Sequence, residues 1–245
     1  MAMKKQSTEE LGAKFIANKP HWNHMEVEIE GTSPLAMQAR PISVIENLSR
    51  KDNGLTPIKY KTSDWRRFID SMHWIDINQK PQTLDNNKTD EELEAEFNAL
   101  IKKYGETGEK LFYIPSEAFK ETIIKGAFRN DIIGKMEGKI LRGAFLVQGE
   151  KCPVDFEAVE MEKEPTINRA AKNAMVIGVY SKFHKWSTTL KINYNDDILS
   201  AQTLLDIITV AGLSVGILAR RTELSFGKYG TFRIKSATKP TSIDL

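Results

Sequence analysis

The clearest pattern along the chain is an alternation of apolar and acidic residues in the stretch HMEVEIEG. Met25, Val27 and Ile29 alternate with three glutamates up to Gly31, and this period of two is typical of a strand with one buried face. Five later stretches predict further strands: KILRGAFLV, VDFEAVEME, AMVIGVYSKF, WSTTLKINYN and YGTFRIKSA.

Three helices are predicted where apolar residues recur at helical spacing. The stretch KTDEELEAEFNALIKKYG begins with the capping-box residues Thr89 and Glu92 and is expected to end before Gly105. The stretch SEAFKETIIKGAFR follows a short strand and Pro115, and LSAQTLLDIITVAG begins after Ser200 and ends at its final glycine.

The order of these elements predicts an α+β fold with a ferredoxin-like or RNA-recognition-motif core, whose helices cover one face of the sheet. Residues 41–105 contain turn formers and scattered aromatic residues between the first strand and the first core helix, so we interpret them as a large insertion. The core then comprises residues 25–40 and 106–245. A polar, partly helical arm is expected at residues 1–24.

The composition excludes several classes of protein. A chain of 245 residues with 40% hydrophobic and 28% charged residues fits an ordinary globular protein rather than a disordered or fibrous one. We expect a cytoplasmic protein without a membrane contact, because no apolar run has the length of a spanning helix and the first residues lack the apolar core of a signal peptide. Cys152 is the only cysteine, which excludes an intramolecular disulfide and a cysteine-rich zinc site.

The glycine-rich segment, residues 212–230, raises the possibility of a nucleotide site. It contains Gly212, Gly216, Gly227 and Gly230 around three basic residues. It follows a helix, whereas a dinucleotide-binding loop follows a strand, and it lacks the GxxxxGK[ST] motif. The chain also lacks the HExxH motif of metal hydrolases. Its stretch GLSVG matches the GxSxG pattern of serine hydrolases, but it follows a helix, whereas the nucleophile of those enzymes lies on a turn from a strand to a helix. No cofactor is therefore expected.

Basic residues are segregated along the chain although the net charge is only +2. They concentrate with aromatic residues in residues 166–191 and in residues 212–235 of the C-terminal tail, where Glu223 stands alone among five cations. Such a pattern is typical of a single-strand-binding surface, in which cations contact phosphates and aromatic rings stack on bases. Ordinary solvated faces are the alternative explanation. The candidate phosphate contacts are Arg40, Lys125, Arg129, Arg169, Lys172, Lys182, Lys185, Arg220, Arg221 and Lys228. The candidate stacking residues are Phe183, Phe226 and Tyr229, whereas Trp186 and Phe232 are expected in the core.

Three segments resemble the RAMP superfamily, the backbone subunits of CRISPR effector complexes and their phage-borne relatives. They are VEIEGTSPLAM, YIPSEAFKETIIKGAFR and AGLSVGILARRTELSFGKYGTFRI. The matching residues are Gly31, Pro34, Leu35, Pro115, Ser116, Lys125, Gly126, Arg129, Gly212, Gly216, Gly227, Gly230 and Phe232.

The resemblance implies a modified ferredoxin-like core with a thumb-like insertion. It also implies a homo-oligomer that stacks head to tail along single-stranded RNA or DNA, with CRISPR effector or recombination proteins as possible partners. The glycines that would let the ligand backbone approach are Gly31, Gly126, Gly216, Gly227 and Gly230. Family members that cut RNA carry an aspartate after the first strand, and GTSPLAMQARP has none, so binding without cleavage is expected.

Two other functions stay open at this point. A metal-dependent nuclease would use carboxylates of the insertion such as Asp64, Asp70 and Asp76. A structural or inhibitory protein would mimic or cap a CRISPR-type assembly without binding oligonucleotides.

Overall fold

The alternating stretch forms β1 (Trp22–Gly31) in the computed structural model, which describes residues 20–130, 132, 137–168, 174–224 and 227–243. Met25, Val27 and Ile29 are buried, as their spacing predicts. The predicted arm lies outside the described residues up to residue 19, and its last three residues already belong to β1.

The other elements follow in chain order. They are β2 (Leu35–Met37), α1 (Ile42–Asp52), α2 (Asp64–Asp70), α3 (Asp90–Thr107), β3 (Tyr113–Pro115), α4 (Ser116–Arg129), α5 (Glu137–Ala144), β4 (Phe145–Val147), β5 (Lys151–Pro153), β6 (Ala158–Asn168), β7 (Ala174–His184), β8 (Ser187–Asn195), α6 (Ala201–Ser214), β9 (Phe232–Ala237) and β10 (Thr241–Ile243).

The main sheet is antiparallel and has β1 near its centre. β8 pairs with nine residues of β1, β4 pairs with the other edge of β8, and β9 and β10 both pair with the remaining edge of β1. Because α4 precedes β4 and α6 joins β8 to β9, the elements β1, α4, β4, β8, α6 and β9 follow the order β-α-β-β-α-β. The predicted α+β class is confirmed.

The two core helices pack against each other and against the sheet through glycines. A Cβ atom on Gly126 of α4 would lie 2.4 Å from the Cβ atom of Ala211 in α6. Gly212 was expected to end α6, but the helix continues to Ser214, and a Cβ atom on Gly212 would lie 2.3 Å from the carbonyl oxygen of Phe232. Close packing on β9 therefore explains this glycine better than a helix cap does.

A second, three-stranded sheet extends from the main sheet. β2 pairs with β7, and β7 pairs with β6 over eleven residue pairs. Since Glu30 faces Ser187 and Leu35 faces Phe183, β1 and β2 form one long ribbon with β8 and β7. The β6–β7 hairpin continues this ribbon beyond Met37, and Met175 and Ile177 near its end are exposed.

Three helices lie between β2 and β3, where the sequence predicts an insertion. Leu93 and Phe97 of α3 are buried, and Phe97 contacts Phe68 of α2 edge to face. The capping box of Thr89 and Glu92 is present as predicted. The helix runs through Gly105 and ends at Gly108, whose φ of 67° is left-handed.

Buried polar groups hold the loop between α2 and α3. Arg66 donates hydrogen bonds to the carbonyl oxygens of Asp85 at 2.9 Å and Lys88 at 2.6 Å. Asp70 accepts hydrogen bonds from Lys80 and Thr83, and all three side chains are buried.

The strand predicted for KILRGAFLV is wrong over residues 139–144, which lie in α5; only Phe145–Val147 forms a strand. Leu141 and Ala144 are buried whereas Ile140 is exposed, so the apolar residues follow a helical spacing of three. None of the helices in the described ranges is long and apolar enough to cross a membrane.

Candidate nucleic-acid interface

The glycine-rich segment folds back onto the beginning of β2. Ala219 donates its backbone N–H to the carbonyl oxygen of Ala36, and Gly230 donates to that of Pro34. Gly230 has a φ of 74°, and a Cβ atom there would lie 2.2 Å from the carbonyl oxygen of Ile217. Leu218 and Arg220 also have positive φ, at 62° and 54°, which is strained for residues other than glycine.

The five glycines expected to face a ligand instead face atoms of the protein. A Cβ atom on Gly31 would overlap the ring of Trp186, and one on Gly227 would overlap the carbonyl oxygen of Arg221. Gly126, Gly216 and Gly230 likewise have protein atoms within 3.2 Å of that position. The glycines therefore allow the close internal packing of the segment and of its neighbours.

The first cluster of charges, the Glu223 cluster, joins α4 to the glycine-rich segment. The carboxylate of Glu223 lies 3.5 Å from Nζ of Lys125, 2.8 Å from Nη2 of Arg129 and 2.7 Å from Nε of Arg221. Its side chain is only 9% exposed. Burial by itself raises the pKa of Glu223, but the hydrogen bond from Arg221 and the three positive charges outweigh it and hold the pKa below the ordinary value.

The second cluster, the Glu164 cluster, joins the same segment to β6. Arg220 and Lys228 both bind the carboxylate of Glu164, and the Arg220 guanidinium lies over the ring of Tyr180 at 5.6 Å. Burial opposes ionisation of Glu164, yet the hydrogen bond from Lys228 and the nearby cations lower its pKa.

The two clusters leave a positive excess on the glycine-rich segment and α4. Five cations surround two carboxylates, so three positive charges are unbalanced. The side chains of Arg129 and Lys228 are 51% and 55% exposed, whereas both carboxylates are largely buried. The excess charge therefore faces solvent.

The predicted cations on β7 and immediately after it are neutralised separately. Lys182 lies 2.7 Å from Glu160 and 3.3 Å from Glu162, and Lys185 lies 2.6 Å from Glu157. These two lysines are not part of the positive excess. Arg40 is exposed and lies before α1, and Arg169 and Lys172 lie outside the described residues.

The expected exposure of the aromatic candidates is wrong where it can be checked. Phe183 is fully buried in the hydrophobic core. Tyr229 is 6% exposed, and the Nζ atoms of Lys182 and Lys228 lie over its ring at 6.0 and 5.1 Å. Neither ring offers a free face to a base. Phe226 lies outside the described residues. Trp186 and Phe232 are buried as expected.

The outer face of the main sheet is close to neutral along β1. Glu26 lies 3.7 Å from Lys191, Glu28 lies 2.6 Å from Lys235, and Glu30 lies 2.6 Å from Arg233. Each acidic residue of the alternating stretch thus pairs with a cation on a neighbouring strand. This part of the sheet is poorly suited to a polyanion.

The candidate carboxylates of a nuclease are engaged elsewhere. Asp64 lies 2.6 Å from Lys163, Asp70 binds the buried Lys80, and Asp76 accepts a hydrogen bond from Asn78. Within the part of the chain that the structure describes, no group of three or more histidine, cysteine, aspartate or glutamate side chains is placed to hold a metal ion. Burial raises the pKa of Cys152 to about 11.

A scan against protein-family models finds no match to this chain, and a search of curated proteins finds none either. A cryo-EM structure of the type III-B Cmr-beta complex bound to cognate target RNA contains a chain with 13% identity and a TM-score of 0.41, covering 98% of this chain and 68% of that one. The crystal structure of Cmr6 from Pyrococcus furiosus has 10% identity and a TM-score of 0.38, covering 87% of this chain and 98% of that one. The chain is similar in structure to these Cmr proteins over most of its length.

The sequence placed the basic residues near the glycine-rich segment, but it did not identify Glu223 and Glu164 as the carboxylates that form ion pairs with them. Glu223 was visible as the single acidic residue of the basic tail, which is the one signal that points to it. Glu164 gave no such signal, because it lies 56 residues before Arg220 in an acidic stretch.

Proposed function

We propose that this protein binds single-stranded nucleic acid, with RNA as the ligand, in the manner of a backbone subunit of a CRISPR effector complex. The observation that carries the proposal is the positive excess that the Glu223 and Glu164 clusters form on the glycine-rich segment and α4. Contacts between cations and phosphates supply most of the sequence-independent affinity for nucleic acid. The RAMP-like motifs of the same loop favour RNA as the first ligand to test.

The buried carboxylates support this role because they fix the positions of the cations. Arg129 and Lys228 each hold an ion pair on the inner side while much of the side chain stays in solvent. A phosphate group can therefore bind cations that are already ordered, which reduces the entropy lost on binding. With Phe183 and Tyr229 buried, we expect charge to contribute more than stacking, and hence binding with little preference for sequence.

The proposal includes binding without cleavage and head-to-tail association along the strand, with CRISPR effector proteins as partners. The first point is supported by the sequence GTSPLAMQARP, which has no aspartate in the loop after the first strand. A cytoplasmic location follows from such a role.

The test is fluorescence anisotropy with labelled single-stranded RNA, single-stranded DNA and duplex RNA over a series of salt concentrations. The informative variant is Arg129→Ala with Lys228→Ala. The matched control is Arg233→Ala with Lys235→Ala, since these cations are also exposed and each is also paired with a glutamate on the outer face of the sheet.

We expect the wild type to bind the single strands tightly. In the informative variant the slope of log affinity against log salt should become shallower by roughly 1.4, because two phosphate contacts are lost. The control variant should keep the slope of the wild type. No binding to RNA at low salt, or equal losses in both variants, would contradict the proposal. Gel analysis of the same RNA after incubation with Mg²⁺ or Mn²⁺ should show no products.

A further inference from the structure

Helix α1 has no buried face. Val44, Ile45 and Leu48 are 45%, 51% and 46% exposed, and their spacing of three and four residues places them on one side of the helix. A helix of eleven residues is marginal in water without tertiary packing. An element that covers this apolar face would therefore stabilise α1.

The loop after α1 extends the apolar face. Asn47 donates a hydrogen bond to the carbonyl oxygen of Ile58 at 2.9 Å and accepts one from its N–H at 2.7 Å. Arg50 donates to the carbonyl oxygen of Thr56 at 2.9 Å. These bonds fix Leu55 and Ile58, which are both exposed, beside the helix.

The same region carries cations that have no ion pair among the described residues. They are Arg40, Arg50, Lys51, Lys59, Lys61 and the buried Arg66. Most other lysines and arginines in the described ranges have a carboxylate partner, including those of the glycine-rich segment. Glu46 and Asp52 of α1 offset two of these charges, and the guanidinium of Arg66 is buried, so a net positive charge of three remains around the apolar face of α1.

A cleft of about 200 Å³ separates α1 from α2. Pro41 and Val44 line one side of it, and Lys61, Arg66 and Arg67 line the other. Asp70 also lines the cleft, and its charge is balanced by the buried Lys80. The cleft thus combines an apolar wall with a basic rim, which is the arrangement of a groove that receives one side of an amphipathic helix.

We propose that α1 and residues 55–61 form a docking surface for an acidic amphipathic helix of a partner protein. Burial of the exposed aliphatic side chains needs apolar side chains of a partner, which a phosphate backbone does not supply, so a protein fits better than a nucleic acid. A second copy of α1 would bring its own cations against those of the first, so charge favours an acidic partner. This proposal is independent of nucleic-acid binding at the glycine-rich segment.

The probe is a fluorescein-labelled peptide with the sequence of α3, DEELEAEFNALIKKYGET, which is acidic and amphipathic. Its comparison is the same peptide with each glutamate and aspartate replaced by the amide. The protein variants are Ile45→Ser with Leu48→Ser and Lys51→Glu with Lys61→Glu. The matched controls are Ile198→Ser with Leu213→Ser, which are comparably exposed, and Lys139→Glu with Lys239→Glu.

We expect the acidic peptide to bind the wild-type protein in anisotropy, and each informative pair to weaken binding by about tenfold or more. Both control pairs should bind within about twofold of the wild type, and the neutral peptide should bind more weakly. Circular dichroism checks that every variant is folded.

Three results would overturn the proposal. The first is no binding of the acidic peptide, or binding that the informative pairs leave unchanged. The second is a loss of single-stranded RNA affinity in Lys51→Glu with Lys61→Glu, which would assign the surface to nucleic acid. The third is a dimer in sedimentation that Ile45→Ser with Leu48→Ser dissociates, which would make a second copy the occupant.

Discussion

Glu223 should limit the affinity of the protein for RNA while stabilising its fold. Its carboxylate lies within 3.5 Å of cationic groups of Lys125, Arg129 and Arg221 and neutralises one of their three charges. In Glu223→Gln the side chain keeps its shape and loses its charge, so the positive excess of the two clusters rises from three to four.

The effect on affinity follows from the salt dependence of single-strand binding. One additional phosphate contact makes the slope of log affinity against log salt steeper by about 0.7. With equal affinities at 1 M salt, the variant then binds roughly fivefold more tightly than the wild type at 0.1 M salt. Stability should fall by about 1–2 kcal/mol, because Glu223 is buried but its partners are partly exposed. A domain of this size would then melt about 2–8 °C lower.

The stability cost should depend on pH. The pKa of Glu223 in the folded protein lies below its ordinary value of 4.5, so its contribution is present above pH 4.5 and is lost as the pH falls through the folded value. The difference in melting temperature between wild type and Glu223→Gln should therefore be full at pH 7 and shrink below pH 4.5.

Anisotropy over a salt series and thermal melts at several pH values measure these effects. Glu30→Gln is the control, because Glu30 pairs with Arg233 on the outer face of the sheet, and its RNA affinity should equal that of the wild type. A folded Glu223→Gln protein with unchanged slope and affinity would refute the reasoning, since the three cations would then have no access to phosphate.

Three further predictions concern packing and burial. Gly126→Ala should lower the free energy of unfolding, measured by urea denaturation, by about 1–3 kcal/mol, because the added Cβ atom meets α6. Gly143→Ala in α5 has open space around the added Cβ atom and should be neutral or stabilising. Phe183→Leu should lower the free energy of unfolding in the same assay but leave RNA affinity unchanged, because the ring is buried. Weaker RNA binding by the folded variant would show instead that Phe183 stacks on a base. Cys152 should react slowly with Ellman's reagent at pH 8 until the protein is unfolded, since burial raises its pKa to about 11, and rapid labelling of the native protein would contradict this.

The core elements were predictable because their patterns are local. The alternation around Val27 and the capping box of Thr89 both appear where the sequence placed them. Phe119 and Ile123 of α4 are buried, as their helical spacing indicates. In such segments propensity, pattern and tertiary packing agree.

Helix α1 and the start of α5 were missed for a different reason. Residues 42–52 have no buried side chain, so packing against the core does not impose a helical spacing on their apolar residues. In KILRGAFLV the apolar run is short enough to fit a strand or a helix, and tertiary packing of Leu141 and Ala144 decides for the helix over most of it.

The sequence predicted that several cations of the candidate site lie near one another, but not that they pair with buried carboxylates. The sequence brought Arg129 and Arg221 to the same region through their motifs, and both belong to the Glu223 cluster. Their ion pairs depend on how α4 meets the glycine-rich segment, which no local pattern specifies. The burial of Phe183 depends likewise on the side of the strand that faces the core, and that of Tyr229 depends on the lysines that lie over its ring.

The ribbon of β1–β2 with β7–β8 links the two sheets mechanically. One ladder of hydrogen bonds runs from the sheet that receives α4 and α6 to the hairpin that carries Glu164, with Gly31 donating to the carbonyl oxygen of Trp186 at the junction. A force applied to the end of the hairpin acts through this ladder on the sheet and on the Glu164 cluster together. We therefore expect a displacement of the hairpin to strain the ion pairs of Arg220 and Lys228 with Glu164 as well.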